Sequence, residues 1–423
     1  AGDIVLTLVS DEEAGGGYGA RYLVEEHPEL FQGIRYAIGE FGGFSFNLGR
    51  RRFYPVMVAE KQVCHLRVIF KGTGGHASLA HEDNPMTALA RFLGAPAAEE
   101  VVFTKNATEA VNLVAHAWGR ANLAEGDVVL VSLLEHHANI VPWHQLAAER
   151  GVEVRWIPTT DDGRLDLGDL DHLLEGVRLV AVTAASNVTG DLPPVRRLAD
   201  AAHSVGALCL VDASQYVPHR ATDVAELGCD FLAFTGHKMC GPTGIGVLWG
   251  RRELLDAMPP FLGGGEMILD VRRDGFTPNE VPWRFEAGTP PIAEMIGLGA
   301  AVDYLEQLGM DAVAAHEVDL TAYALRTLGD RFGDDLVIHG PADTTDRGGT
   351  LSMCLGEIHA HDLSQVLDQH GVCVRAGHHC AKPLMRELGV TATARASLYL
   401  YNDESDVDAL VDALDEAARF FAF

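Results

Sequence analysis

Three groups of polar residues, each placed just behind an apolar run, could do chemistry in this sequence. Asp212 closes the run 208–211, and Gln215 follows it one turn on. Lys238 stands 26 positions beyond Asp212, behind the run 231–234, within Thr235-Gly236-His237-Lys238-Met239-Cys240-Gly241-Pro242-Thr243-Gly244. Asn106-Ala107-Thr108 separates an apolar run from a helical stretch, where backbone N–H groups and the helix dipole suit a phosphate. An amine for a Schiff base, an acid to keep a ring nitrogen protonated, and a phosphate seat are what pyridoxal phosphate needs from a protein. Taken singly, Asp212 reads as a turn residue and Lys238 as a solvated loop lysine. Their combination favours the cofactor site. The chain has only five lysines (Lys61, Lys71, Lys105, Lys238 and Lys382), so one inside a motif is informative.

The elements that must position these residues alternate from about residue 100. Apolar runs at 101–103, 128–131, 152–157, 179–183, 208–211 and 231–234 read as strands, separated by helical patterns such as 108–121 and one starting near 140. Continuous apolar strands between helices predict an α/β fold with a mainly parallel central sheet covered on both faces. In such sheets functional groups gather at the carboxyl ends of the strands. The tail changes character: runs at 351–355, 372–374 and 396–400 read as short strands among helices, and 404–421 as a last helix. That pattern predicts a smaller α+β domain.

The 423 residues suggest two or three packed units, and 48% hydrophobic with 22% charged residues is an ordinary globular composition. A formal charge of -28 argues against a nucleic-acid backbone or an anionic membrane as partner. No apolar run approaches the roughly 20 residues of a bilayer span, and the first residues lack the basic region of a secretory signal. Seven cysteines without framework spacing favour a reducing compartment, the cytoplasm, with free thiols.

Longer strings carry a resemblance. Phe234 to Gly246, around Lys238, is similar to the lysine motif of class V aminotransferase-type enzymes. Glu135-His136-His137-Ala138-Asn139-Ile140-Val141-Pro142-Trp143, Arg284-Phe285-Glu286-Ala287-Gly288-Thr289-Pro290, Arg375-Ala376-Gly377-His378-His379-Cys380 and Arg395-Ala396-Ser397 resemble the SufS-type cysteine desulfurases. The likeness runs from about residue 92 to the end and implies the fold type I architecture of pyridoxal-phosphate enzymes. It further implies that Lys238 forms the Schiff base and moves the α-proton, that Asp212 pairs with the pyridinium nitrogen and that Gln215 bonds the ring oxygen. His136 would stack on the ring, ahead of its neighbour His137. Ala107, Thr108, Thr235 and His237 would hold the phosphate, helped by Thr289 from the other subunit of a homodimer. Asn187 and Arg395 would bind the substrate carboxylate, Arg395 through a bidentate contact that lysine cannot copy. Cys380 would attack the sulfur of L-cysteine, releasing L-alanine and leaving a persulfide for an acceptor protein of iron–sulfur cluster assembly. His378 and His379 could lower its thiol pKa or relay its proton. A metal site on Cys373, His378, His379 and Cys380 matches no common zinc spacing, and Cys240 reads as small packing. Lys382 departs from the family, which more often has a neutral residue there.

Residues 1–91 resemble something else, the aminoacylase-related dinuclear-zinc amidohydrolases and peptidases. The strings are Ser10-Asp11-Glu12-Glu13-Ala14-Gly15-Gly16, Tyr36-Ala37-Ile38-Gly39-Glu40, Gly74-Gly75-His76-Ala77-Ser78 and Asn84 to Arg91. There Glu12 would be a general base, and Glu13 and Glu40 metal ligands. Carboxylates without partner imidazoles make a poor zinc site, so no metal is expected and His76 reads as a loop histidine. The chain thus divides into 1–91, a cofactor-binding domain 92–293, and a domain 294–423 carrying the Cys380 loop. The desulfurases' usual opening segment is not found, and a chimera of this kind is expected to lose a wall of the pocket and to leave residues 1–91 loosely folded. Four outcomes remain open from the sequence: a cysteine desulfurase, a selenocysteine lyase or sulfinate desulfinase on the same fold, a metal-dependent amidohydrolase, and a chimera that binds pyridoxal phosphate without turnover.

Overall fold

The computed structural model describes residues 84–421, together with His27 and a short antiparallel pair, β1 (Phe46–Leu48) and β2 (Arg51–Phe53). The chain divides into two units, 1–69 and 70–423; β1 and β2 belong to the first, and all that follows concerns the second. Glu12, Glu13, Glu40 and His76 lie outside the described residues.

Seven strands form the main sheet in the order β3 (Val101–Thr104), β9 (Gly246–Gly250), β8 (Phe231–Thr235), β7 (Leu208–Asp212), β6 (Val177–Thr183), β4 (Val128–Ser132) and β5 (Glu153–Ile157). From β8 to β5 the neighbours are parallel, as the unbroken apolar runs predict. β9 is an addition to the predicted strands and runs antiparallel to both β8 and β3. Its first residue has to be glycine: a Cβ on Gly246 would lie 2.4 Å from Asn106 Cα. Apolar cores cover both faces of the sheet. One contains Val180, Val182, Val211 and Phe234, the other Val129, Val131, Trp143 and Phe231. Alternate residues of one strand therefore feed opposite cores.

Helix Pro85–Phe92 starts on Asn84, whose side chain accepts the Thr87 N–H at 2.8 Å, with proline at the first position. It packs on helix Ile292–Leu308 and buries Leu89 completely.

A second core lies between an antiparallel sheet, in the order β12 (Leu336–His339), β13 (Thr350–Leu355), β15 (Thr393–Ser397) and β14 (Arg375–Gly377), and helices Met310–Phe332, Ala360–Gln369 and Glu404–Phe421. The last helix matches its predicted range. Two predicted strands are displaced. The run 372–374 still belongs to a helix end, because Val372 N–H bonds to Leu367 O, so pairing begins only at Arg375. The run 396–400 gives way to β15 because Leu398 N–H is drawn to Gly349 O and the chain then turns at Tyr399–Asn402. Val372, Val374 and Leu398 pack against the second core without joining a ladder, which periodicity cannot distinguish.

Candidate active site

The carboxyl ends of the parallel strands bring the predicted residues together. Asp212, the last residue of β7, is 4% exposed, and its Oδ1 accepts the Ser214 N–H at 3.0 Å. Lys238 ends the tight helical turn Gly236–Lys238 behind β8, and is half-buried. Burial lowers its pKa, the negative charge of Asp212 opposes that, and Arg395 and Arg375 reinforce it. The amine is thereby moved toward the neutral, nucleophilic form.

His136 follows β4 and points its Nδ1 at the Ala138 N–H, 3.1 Å away, so the proton of the neutral ring sits on Nε2. Burial pulls its pKa down to about 4, against Asp212 and with Lys238. A flat, neutral imidazole beside the lysine and aspartate suits stacking on a cationic ring.

Glu135 was given no role by the sequence, yet it organises this corner. It is fully buried and receives the Thr183 N–H at 2.7 Å, the Asn139 side-chain amide at 2.7 Å and a contact from the Ser132 hydroxyl. Asn139 in turn accepts the Trp143 indole N–H at 3.0 Å. The signal was available: a carboxylate at a strand end, four residues before an asparagine, in a loop that becomes helix. Burial raises its pKa to about 8, outweighing the bonds it accepts. A carboxyl whose folded pKa is raised contributes stability that is fully present below about pH 4.5 and is lost as pH rises through about 8. Denaturant unfolding should therefore show wild type losing stability relative to Glu135→Gln over that window. Glu135→Ala should cost about 3 kcal/mol or more, because three buried donors lose their acceptor. A flat difference between wild type and Glu135→Gln would refute the assignment.

The residues expected to hold the phosphate lie at one edge of the site. Asn106 caps helix Ala107–Leu113, its side chain accepting the Glu109 N–H at 3.0 Å, and the first turn presents Ala107 and Thr108. Thr104, Gly246 and Thr235 are paired in register across β3, β9 and β8, so the turn and Thr235 face the same end of the sheet. The Thr235 hydroxyl is 2.9 Å from His237 Nδ1. Gln215 is half-buried and Thr289 exposed, and neither makes a side-chain hydrogen bond among the described residues.

Cys380 sits on a strained loop between β14 and helix Lys382–Glu387. His379 and Cys380 both adopt positive φ, 50° and 56°, which costs energy for residues with a Cβ and persists only where neighbours impose it. Those neighbours are visible. Asn187 Nδ2 donates to His379 O at 2.8 Å, His137 N–H donates to Cys380 O at 2.7 Å, and Lys382 N–H donates to His137 Nε2 at 3.0 Å. His379 contacts the Thr393 hydroxyl at 2.8 Å, and burial pulls its pKa down to about 4, so it is a structural, neutral ring. His378 Nδ1 accepts the Cys380 N–H at 3.1 Å.

Two guanidiniums stand beside this thiol. Arg395 Nη1 donates to Asn187 O at 2.9 Å, its Nε is buried without a protein partner, and burial lowers its pKa to about 10. Arg375, which the sequence reading left without a role, lies with Nη2 3.7 Å from Cys380 Sγ. Cys240 departs from expectation: it is exposed at φ 60° instead of packed, because the turn behind Lys238 swings it outward.

A buried acid beside a desolvated lysine at parallel strand ends, a neutral imidazole, a helix start and a buried guanidinium whose Nε has no partner among the described residues fit pyridoxal phosphate and an amino-acid carboxylate. Fold and site together define a pyridoxal-phosphate enzyme of fold type I. The chain matches the class-V aminotransferase family over residues 76–410 and belongs to it; within that family it is a cysteine desulfurase. It is 51% identical to the cysteine desulfurase of Haloferax volcanii over 348 residues, 82% of this chain and 81% of that one. It is 50% identical over 338 residues to the probable cysteine desulfurase of Streptomyces coelicolor, covering 79% and 80% of the two chains. The crystal structure of the cysteine desulfurase CsdA from Escherichia coli superposes with a TM-score of 0.75 at 38% identity, covering 80% of this chain and 84% of that one. These likenesses do not favour the lyase, desulfinase, amidohydrolase or inactive-chimera alternatives.

Proposed function

We propose that Cys380 is the sulfur-accepting nucleophile of this desulfurase and Lys238 its cofactor lysine and proton carrier. The observation that carries this is the loop of Cys380, forced into positive φ by Asn187, His137 and Thr393 and set beside Arg375 and Arg395. Bound pyridoxal phosphate supplies an electron sink for the pair released at the substrate Cα. Asp212 would hold a proton on the ring nitrogen, Gln215 would donate to the ring oxygen, and His136 would stack on the ring. Ala107, Thr108, Thr235 and His237 would hold the phosphate. Arg395 and Asn187, with Arg375 nearby, take the substrate carboxylate. Lys238 Nζ removes the Cα proton. The Cys380 thiolate then forms an S–S bond as the substrate Cβ–S bond breaks, and its electron pair stays with the fragment that leaves, protonated, as L-alanine. Cys380 is left as a persulfide, which an acceptor protein of iron–sulfur cluster assembly removes.

A homodimer belongs to the same reading. Thr289 is exposed in the single chain and would reach the phosphate of a second copy. The loop beside it, joined through Gly288 N–H to Gly265 O, leads into an antiparallel pair that exposes Leu269, Val271 and Phe276. A cytoplasmic setting agrees with free thiols, and no described helix is long and apolar enough to cross a membrane.

The absorbance of the purified full-length chain tests the whole reading. A cofactor band that shifts on adding L-cysteine, with alanine appearing, is the expected result. No band after incubation with pyridoxal phosphate would overturn it.

A further inference from the structure

One buried carboxylate joins the two cores and has no place in the chemistry above. Glu317 lies midway along helix Met310–Phe332 and is 3% exposed. Its oxygens lie 2.5 Å from His219 Nδ1 and 2.7 Å from Arg220 Nη1, both in the loop that begins at Asp212 and carries Gln215. On its other side Glu317 presses on Gly349, where an added Cβ would meet its Cγ at 3.0 Å and its Oε2 at 3.2 Å. The Gly349 carbonyl accepts the Leu398 N–H at 2.8 Å, three residues beyond Arg395 on the same stretch of chain. Tyr399 closes the circuit: its hydroxyl donates to Pro218 O at 2.9 Å, and its ring meets the His219 ring edge-on at 4.6 Å.

Burial pushes the Glu317 carboxyl up, but the His219 contact and the charges of His219 and Arg220 outweigh it and hold the pKa below its ordinary value. The group is therefore ionised at neutral pH. A buried ion cluster adds little net stability compared with well-packed apolar residues, so its use is to fix one register between the parts it joins. Here the parts are the cofactor loop after β7 and the β15 strand that presents Arg395.

We infer that Glu317 is a positioning residue that sets Arg395 against the cofactor loop, through His219 and Arg220 on one side and Gly349 on the other. The inference rests on the reading of Arg395 as the carboxylate binder given above. Glu317→Gln removes the charge at the centre and His219→Gln one arm, and Thr321→Val, buried one turn along the same helix, serves as control. In the cofactor-loaded full chain, Glu317→Gln and His219→Gln should each raise the KM for L-cysteine roughly tenfold and lower kcat by less than about threefold, the pattern of a displaced binding group. The resting cofactor band should persist, because Lys238 in the turn behind β8 and Asp212 at the end of β7 make no contact with Glu317. Thr321→Val should match wild type. A KM within about twofold of wild type in folded Glu317→Gln or His219→Gln protein would overturn the inference, as would loss of bound cofactor. If Glu317→Gln does not fold, His219→Gln decides alone. Arg395→Lys separates the two failures: an unchanged KM there would remove the carboxylate-binding role, whatever Glu317 does.

Discussion

Lys238→Ala is expected to lower alanine formation from L-cysteine by at least about 10⁴-fold, the upper range for removing a positioned proton carrier. The half-buried amine is desolvated and lies near Asp212, Arg375 and Arg395, and burial moves it toward the neutral form needed to take a Cα proton. Lys238→Arg keeps the positive charge for Asp212 but not a group that gives up its proton, so it should fail almost as badly. Because the Lys238 side chain makes no hydrogen bond among the described residues, neither variant should shift the unfolding midpoint by much. Rapid-quench assay of alanine with the unfolding curve beside it decides the matter. More than a few per cent of wild-type turnover in a folded Lys238→Ala protein would end its assignment.

The second large effect falls on Cys380. Cys380→Ala should cost about 10³-fold in turnover of L-cysteine, equivalent to about 4 kcal/mol in the barrier. The backbone there is held in positive φ by its neighbours, and alanine carries the same Cβ, so the substitution adds no new backbone strain. Cofactor binding and its absorbance should survive, since Cys380 stands on its own loop between β14 and helix Lys382–Glu387, apart from the turn Gly236–Lys238 and from Asp212 at the end of β7. Mass spectrometry of wild type after one turnover should find one extra sulfur on the peptide containing Cys380. A persulfide on Cys240 instead, or undiminished turnover in Cys380→Ala, would show that the nucleophile lies elsewhere.

Much of the site was legible because its residues announce themselves by chemical type and by place. Asp212 closes, and Lys238 closely follows, a strand of unbroken apolar residues, and the strands are parallel for the reason those runs are apolar: both faces are covered. Arg375 and Glu135 stood inside quoted strings and still went without roles. Their roles depend on a thiol 3.7 Å away and on three donors from β4, β6 and a following turn, none of which is local in sequence. The displaced strands β14 and β15 teach the same lesson. A short apolar run records burial, and burial alone does not say which residues pair.

By itself the sequence determined what is local or repetitive: the strand and helix alternation, the last helix, the helix start after Asn106 and the residue types that could carry a cofactor. Tertiary structure alone decided three things. It inserted β9 antiparallel between β3 and β8, which glycine at 246 permits by letting the strand pass Asn106. It bent His379 and Cys380 into positive φ through bonds from residues nearly 200 and 250 positions away. It also set Glu317 between the cofactor loop and the Arg395 strand. Each depends on close approach between segments distant in the chain, where the energy comes from desolvation and from bonds that no local pattern encodes.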